Sequence, residues 1–362
     1  MRKSQQYLFI GSTEAYSGKS ATILGIAHQL KNKGLDIVYG KPVSNCFGTS
    51  AKTRSDADVK FISEILALSK SQVRSPILFL DEETIAQRLR GNDQNNYSQA
   101  LATYTQNLGR ELVLLEGPAN LYEGSLFNLS LPEMAATLDA AVLLVTRFES
   151  IQTIDAIIEA KQRLNSHLLG VVLNDIPAEL MEIVYTNVKP FLEKAGIPIL
   201  GILPRSALLR SVSVHEIVRQ LNAEVLCRSD RLDFMVESLQ IGAMNVNSAM
   251  QYFSKGKNMA VVTGGDRTDI QLAALDTSTH CLILTGHLAP SPLILNRAED
   301  LEIPILSVNS DTLTTVKIIE RTFGKVPLAE PIKAECICQL MIEHFDINTL
   351  LNAIGLLPAV TA

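Results

Sequence analysis

The run Leu8-Phe9-Ile10-Gly11-Ser12-Thr13-Glu14-Ala15-Tyr16-Ser17-Gly18-Lys19-Ser20 constrains the fold of this 362-residue chain more than any other. A short apolar segment enters a glycine-bounded loop, and a helical pattern begins immediately after it. A phosphate group needs several backbone N–H donors converging on it, and a helix N-terminus supplies them with a partial positive charge. Gly18 permits the turn, Lys19 brings a full charge to the β/γ-phosphates, and the Ser20 hydroxyl is a hard ligand for Mg²⁺. Thr13 and Ser17, in the same loop, join the candidate nucleotide contacts. Six residues separate Gly11 from Gly18, where the simple phosphate-loop pattern has four. The competing reading is a plain helix cap after a strand, with Lys19 in solvent.

Apolar runs at 7–10, 36–39, 112–115, 140–145, 168–173 and 198–203 lack polar alternation, as strands covered on both faces do. Helical patterns at 20–33, 151–165 and 178–195 fall between them. This alternation predicts an α/β fold, a doubly wound and mostly parallel sheet over residues 1–210. A second, smaller α/β domain is expected at 211–325, with strands at 223–226, 259–262, 281–285 and 303–308. Gly324, Pro327 and Pro331 then set off a helical tail, 326–362.

Composition narrows the partners. Lys and Arg number 32 against 38 Asp and Glu, for a net charge of −6 without any basic block. Nucleic acid and anionic membrane surfaces are therefore not expected partners. No apolar stretch approaches the ~20 residues that span a bilayer. The N-terminal residues run into the glycine-rich turn instead of a signal-peptide core, so a cytoplasmic location is expected. Cys46, Cys227, Cys281, Cys336 and Cys338 are too scattered for a disulfide framework or a metal site.

Several charged or polar residues sit where strands end. Glu116 closes an apolar run at a predicted carboxyl end, the side on which open α/β sheets bind ligands. With Ser20 it is a candidate for Mg²⁺, the alternative being a cap for the next helix. Asp56, in a polar loop, is either a further metal ligand or an N-cap. Lys41 precedes Pro42, which keeps it extended, and it points into a cleft or snorkels to solvent. Asn174 ends another strand, where an amide can meet a purine edge or make a turn. Gly264-Gly265-Asp266-Arg267-Thr268-Asp269 forms a second strand–turn–helix junction. Gly265 gives that turn freedom, Asp266 or Thr268 can cap the helix, and the Arg267 fork can pair with an anion. A small anionic ligand and a subunit interface both remain open there; His287 nearby is read as structural.

Residues 1–210 resemble the dethiobiotin-synthetase-like branch of the P-loop proteins, which includes the cobyrinic acid a,c-diamide synthases. The resemblance rests on the extended loop ending Gly18-Lys19-Ser20, on Tyr39-Gly40-Lys41-Pro42-Val43, Ser55-Asp56 and Leu115-Glu116-Gly117. Val172-Leu173-Asn174 and Gly201-Ile202-Leu203-Pro204 extend it. It implies catalytic roles for Lys19 and Lys41, the latter facing substrate. It also implies Asp56 and Glu116 on Mg²⁺, with Asn174 and Pro204 flanking the nucleotide base. Pro118-Ala119-Asn120 departs from that family's second glycine pair, at the loop that handles substrate.

Residues 215–325 resemble the DRTGG domain through Thr263-Gly264-Gly265-Asp266-Arg267-Thr268-Asp269-Ile270-Gln271. Leu284-Thr285-Gly286-His287, Ile303-Pro304-Ile305-Leu306 and Asp311-Thr312 fit the same pattern. The two domains in this order resemble the front of long-form phosphotransacetylases. Only 37 residues follow residue 325, so the acetyltransferase domain of those enzymes is expected to be absent. The resemblance implies a regulatory protein that binds Mg²⁺ and a nucleotide, ATP foremost, with a homo-oligomer expected. The rival is an ATP-dependent ligase that carboxylates or amidates a small acid, Lys19 stabilising transferred phosphate and Lys41 orienting the acid. A third reading is an assembly module that binds a phosphotransacetylase in trans.

Overall fold

In the computed structural model, which describes residues 7–44, 56–104, 112–325 and 330–356, the apolar runs of the first half lie side by side. The strands are β1 (Tyr7–Ser12), β2 (Ile37–Gly40), β3 (Val43–Ser44), β4 (Val73–Arg74), β5 (Leu78–Phe79), β6 (Leu112–Glu116), β7 (Ala141–Arg147), β8 (Leu168–Ile176) and β9 (Ile199–Pro204). Seven of them form one sheet in the order β4-β2-β6-β1-β7-β8-β9, with every pairing parallel. The short β3 and β5 pair apart from it. Because the chain moves outward from β1 in both directions, a crevice opens at the carboxyl end of β1, the usual ligand site of such sheets. Phe9, Val113, Leu115, Val142, Leu144 and Leu173 fill one buried face. Each such side chain contributes about 1.5–3 kcal/mol on leaving water.

Helix α1 (Lys19–Asn32) turns Ile23, Leu24, Ile26, Ala27 and Leu30 inward. The single helix expected at 178–195 is instead broken into a 3₁₀ turn, Ala178–Leu180, a short α segment, a π turn, Val184–Val188, and a last segment, Lys189–Lys194. Pro190 explains the break. It has no N–H to give the preceding turn, and the widened turn, closed by Lys189 N–H on the Val184 carbonyl, changes register just before it.

The described residues divide into two units, the first within 1–205 and 327–362 and the second within 206–326. The segment expected as a separate tail thus folds into the first unit. Its helix Pro331–His344 lies against α1 at Gly25, where a Cβ would come 2.3 Å from Met341 Cγ. Gln29 Nε2 donates to the Met341 carbonyl at 3.0 Å, and the Asp346 N–H donates to the Leu200 carbonyl at 2.8 Å.

The second unit holds β10 (Val212–Ser213), β11 (Glu224–Cys227), β12 (Met235–Val236), β13 (Ser238–Ile241), β14 (Met259–Gly264), β15 (Thr279–Thr285) and β16 (Ile305–Val308). Five of these make a sheet in the order β11-β16-β15-β14-β13, antiparallel only at β11. Among the described residues no helix is long and apolar enough to cross a membrane.

Candidate functional site

The sheet register places Ile10 beside Glu116 and Ser12 beside Val145, so the loop after β1 opens between the ends of β6 and β7. Gly18 sits at the N-cap of α1 with φ +98°. A Cβ there would be both strained and 2.3 Å from Asn174 Nδ2, so glycine is required. Asn174, at the end of β8, donates Nδ2 to the Ser17 carbonyl at 2.8 Å and braces the loop. Tyr16 also has a left-handed backbone, φ +58°, and its ring is 54% exposed at the crown of the loop. Thr13 is half-buried.

Lys19 lies underneath, only 8% exposed, with Nζ donating to Ser12 Oγ at 2.9 Å. Burial depresses its ammonium, with Glu116 opposing that effect. Ser17 Oγ is buried and has no hydrogen-bond partner among the described residues. Among the described residues, a buried cation held by a single hydroxyl, beside a hydroxyl with no partner, leaves polar groups ready for an anionic ligand.

Carboxylates gather on the β2 side. Glu116 accepts from Ser20 Oγ on Oε1 at 3.1 Å and from the buried Tyr39 hydroxyl on Oε2 at 3.0 Å. Lys41 Nζ lies 2.9 Å from Asp56 Oδ2, 3.1 Å from Asp58 Oδ2 and 3.4 Å from Glu116 Oε1. Asp56 is also the N-cap of helix α2 (Ala57–Ile65): its Oδ1 accepts from the Asp58 and Val59 N–H groups, and its Oδ2 from Ser44 Oγ at 2.6 Å. Of its two sequence readings, metal ligand and N-cap, the structure realises the cap, and it adds the ion pair with Lys41. Ser55 lies outside the described residues.

Burial alone would raise the Asp56 carboxyl, but Lys41 and Ser44 hold it low. Asp58 is pushed up to about 6 by burial and by Glu116, with Lys41 offsetting part of the rise. Sequence reasoning passed over Asp58. Its only signal was a second aspartate two positions after Asp56, and its place in the cluster depends on how α2 packs.

Among the described residues no group of three or more His, Cys, Asp or Glu is disposed to hold a metal ion by itself. The hard donors that face one another are the Ser20 hydroxyl and Glu116, and Mg²⁺ completes its shell with waters and phosphate oxygens. That donor chemistry fits the ion.

At the neighbouring strand ends Asp175, with φ +56°, lies between Arg147 Nε at 3.3 Å and Arg205 Nε at 3.1 Å. Pro204 closes β9 opposite Ile176. The Pro118-Ala119-Asn120 stretch folds tightly: Asn120 Oδ1 accepts from the Tyr122 and Glu123 N–H groups, and Glu123 accepts from the Ala119 N–H.

In the second unit, Gly265 is required by space instead of by backbone freedom. A Cβ there would lie 2.5 Å from the Leu288 carbonyl oxygen. The Arg267 fork is taken by Asp269, at 3.0 and 3.1 Å, and by the Met244 carbonyl at 2.9 Å. Arg267 occupies the cap position of helix Thr268–Leu275 with no side-chain cap bond, so neither Asp266 nor Thr268 caps it as expected. Gln271 Nε2 holds the turn instead, donating to the Gly264 and Gly265 carbonyls.

The sequence pattern of the AAA domain matches residues 6–213, more than half of the chain. The chain belongs to that family. The DRTGG domain pattern matches residues 216–322 of this AAA-domain protein. Phosphate acetyltransferase from Synechocystis sp. is 27% identical to it over 95% of this chain and 51% of the relative. The enzyme of that name from Nitratidesulfovibrio vulgaris is 26% identical over the same shares. The AAA-domain protein thus spans about half the length of the curated relatives it matches. A solved structure of the CBS and DRTGG domains of the regulatory region of Clostridium perfringens pyrophosphatase, complexed with the activator diadenosine tetraphosphate, is 19% identical. It overlaps 50% of this chain and 74% of its own, with a TM-score of 0.28, too low to bear on function.

Proposed function

We propose that this protein binds a Mg²⁺–nucleotide, ATP foremost, at the loop before α1 and acts as a regulatory module of the kind found in phosphate acetyltransferases. The observation that carries the reading is the buried Lys19, which makes no ion pair among the described residues and which a terminal phosphate would provide with one. The N–H groups at the start of α1 would cradle phosphate oxygens, and Lys19 would meet the terminal phosphate. Ser20 and Glu116, with Asp56 or Asp58 beside them, would hold the cation. When bound, Mg²⁺ supplies positive charge that neutralises the phosphates. Asn174 keeps the loop in shape, and with Pro204 it borders the space left for the base. The DRTGG unit would take a small anionic metabolite or form the contact between copies in a homo-oligomer. A phosphate acetyltransferase catalytic region, in cis or in trans, is the partner this reading expects.

The rival reading, an ATP-dependent ligase, needs Lys41 free to orient a carboxylic acid. Its engagement with three carboxylates favours regulation. A thermal-shift panel of nucleotides and central metabolites, with Mg²⁺ and with EDTA, tests the proposal. A ligand at a hundredfold excess over Kd stabilises the native state by about 2.7 kcal/mol. ATP with Mg²⁺ should raise the midpoint more than ATP in EDTA. No response to any nucleotide would refute the reading, and ADP release that depends on an added carboxylic acid would move it to the ligase.

A further inference from the structure

Three carboxylates and one ammonium are packed together beside the phosphate loop. Lys41 Nζ is within 2.9 to 3.4 Å of Asp56, Asp58 and Glu116. The side chains are 13%, 5%, 20% and 3% exposed in the order Lys41, Asp56, Asp58, Glu116. Charges this far from water persist only when paired, and one cation shared by three anions leaves the set net negative. Burial alone would lower the Lys41 ammonium, but Glu116, Asp58 and Asp56 raise it above its ordinary value, so it is charged at neutral pH. Lys19, the neighbouring cation, makes no ion pair with the cluster among the described residues.

The cluster contains Glu116 and Asp56, the carboxylates that the proposed nucleotide site would turn toward a divalent cation. A bare cation approaching them meets the Lys41 charge at close range, in surroundings that screen it poorly. We infer that Lys41 is the built-in counter-ion of the Asp56–Asp58–Glu116 set, keeping a free divalent cation out and yielding only to a cation that arrives with nucleotide phosphates.

The exchange is chemically balanced: phosphate oxygens give the ammonium a new anionic partner as the cation takes over the carboxylates. The local chain suits such a device. Gly40 and Pro42 bracket Lys41, and the proline holds the backbone extended, so the flexible four-carbon stem makes the movement.

The inference rests on the proposed nucleotide site, and the experiment separates their failures. Mn²⁺ alone is titrated into nucleotide-free protein, and the paramagnetic resonance signal of free Mn²⁺ is followed. Lys41→Met, which removes the charge and keeps an unbranched stem, should bind Mn²⁺ at least tenfold more tightly than wild type. Lys41→Arg, which keeps the charge, should stay within about threefold of wild type; melting curves establish first that each variant is folded. Equal Mn²⁺ affinity in folded wild type and Lys41→Met overturns the inference.

Should Lys41→Met not fold, wild type decides. Its Mn²⁺ affinity should rise at least tenfold when a non-hydrolysable ATP analogue is present, and tight uptake of Mn²⁺ alone overturns the inference. A parallel titration of ATP into wild type judges the nucleotide reading: its failure sinks that reading, while the comparison with Lys41→Met still judges the counter-ion.

Discussion

Glu116 shows how one residue joins the two halves of the site. Its Oε1 faces the Ser20 hydroxyl that opens α1, and its Oε2 is fixed by the buried Tyr39 hydroxyl. Glu116→Gln preserves the shape, and its amide oxygen still accepts from one of the two hydroxyls, while the charge a divalent cation needs is removed. The gain in ATP affinity that Mg²⁺ confers should fall at least tenfold in this variant, while affinity in EDTA stays near wild type. Calorimetry in both buffers measures it, and an undiminished Mg²⁺ effect would remove Glu116 from the metal site. Gly18, Lys19 and Ser20 were legible in sequence because strand, loop and helix follow one another within thirteen residues. Asp58 and the bracing role of Asn174 were not, since both depend on segments far apart in the chain: Asn174 reaches Ser17 across 157 positions.

At the scale of elements, continuous apolar runs marked the central strands well, because a strand covered on both faces has no polar side. The edges escaped. β4 has two residues, and β13 alternates polar and apolar through half-buried Ser238, Leu239 and Gln240 to an exposed Ile241, so neither offers an unbroken run. The helix Pro331–His344 was legible as a helix but not as a part of the first unit. Its buried residues Lys333, Ala334, Ile337 and Met341 recur at helical spacing, and spacing names no partner. The close approach at Gly25 makes the docking testable. Gly25→Leu overpacks the contact with Met341 and should destabilise the protein by about 1–3 kcal/mol in urea unfolding. Met341→Ala in the same chain should recover part of the loss. A neutral Gly25→Leu would mean that this helix does not pack there.

The whole molecule joins an AAA domain to a DRTGG domain and matches phosphate acetyltransferases over about half their length. The order of the two domains was legible because each carries its own glycine-marked strand–turn–helix junction. The ligand of the second was not, since in the folded unit Asp269 and a backbone carbonyl engage the Arg267 fork. The proposed role therefore turns on the first unit taking a nucleotide. Calorimetric titration of ATP with Mg²⁺ into wild type and Lys19→Ala tests this most directly. Wild type should show a single saturable site. Lys19→Ala, with an unchanged melting midpoint, should bind at least tenfold more weakly, a loss of about 1.4 kcal/mol or more. No saturable heat in wild type, or equal affinity in the two proteins, would contradict the account.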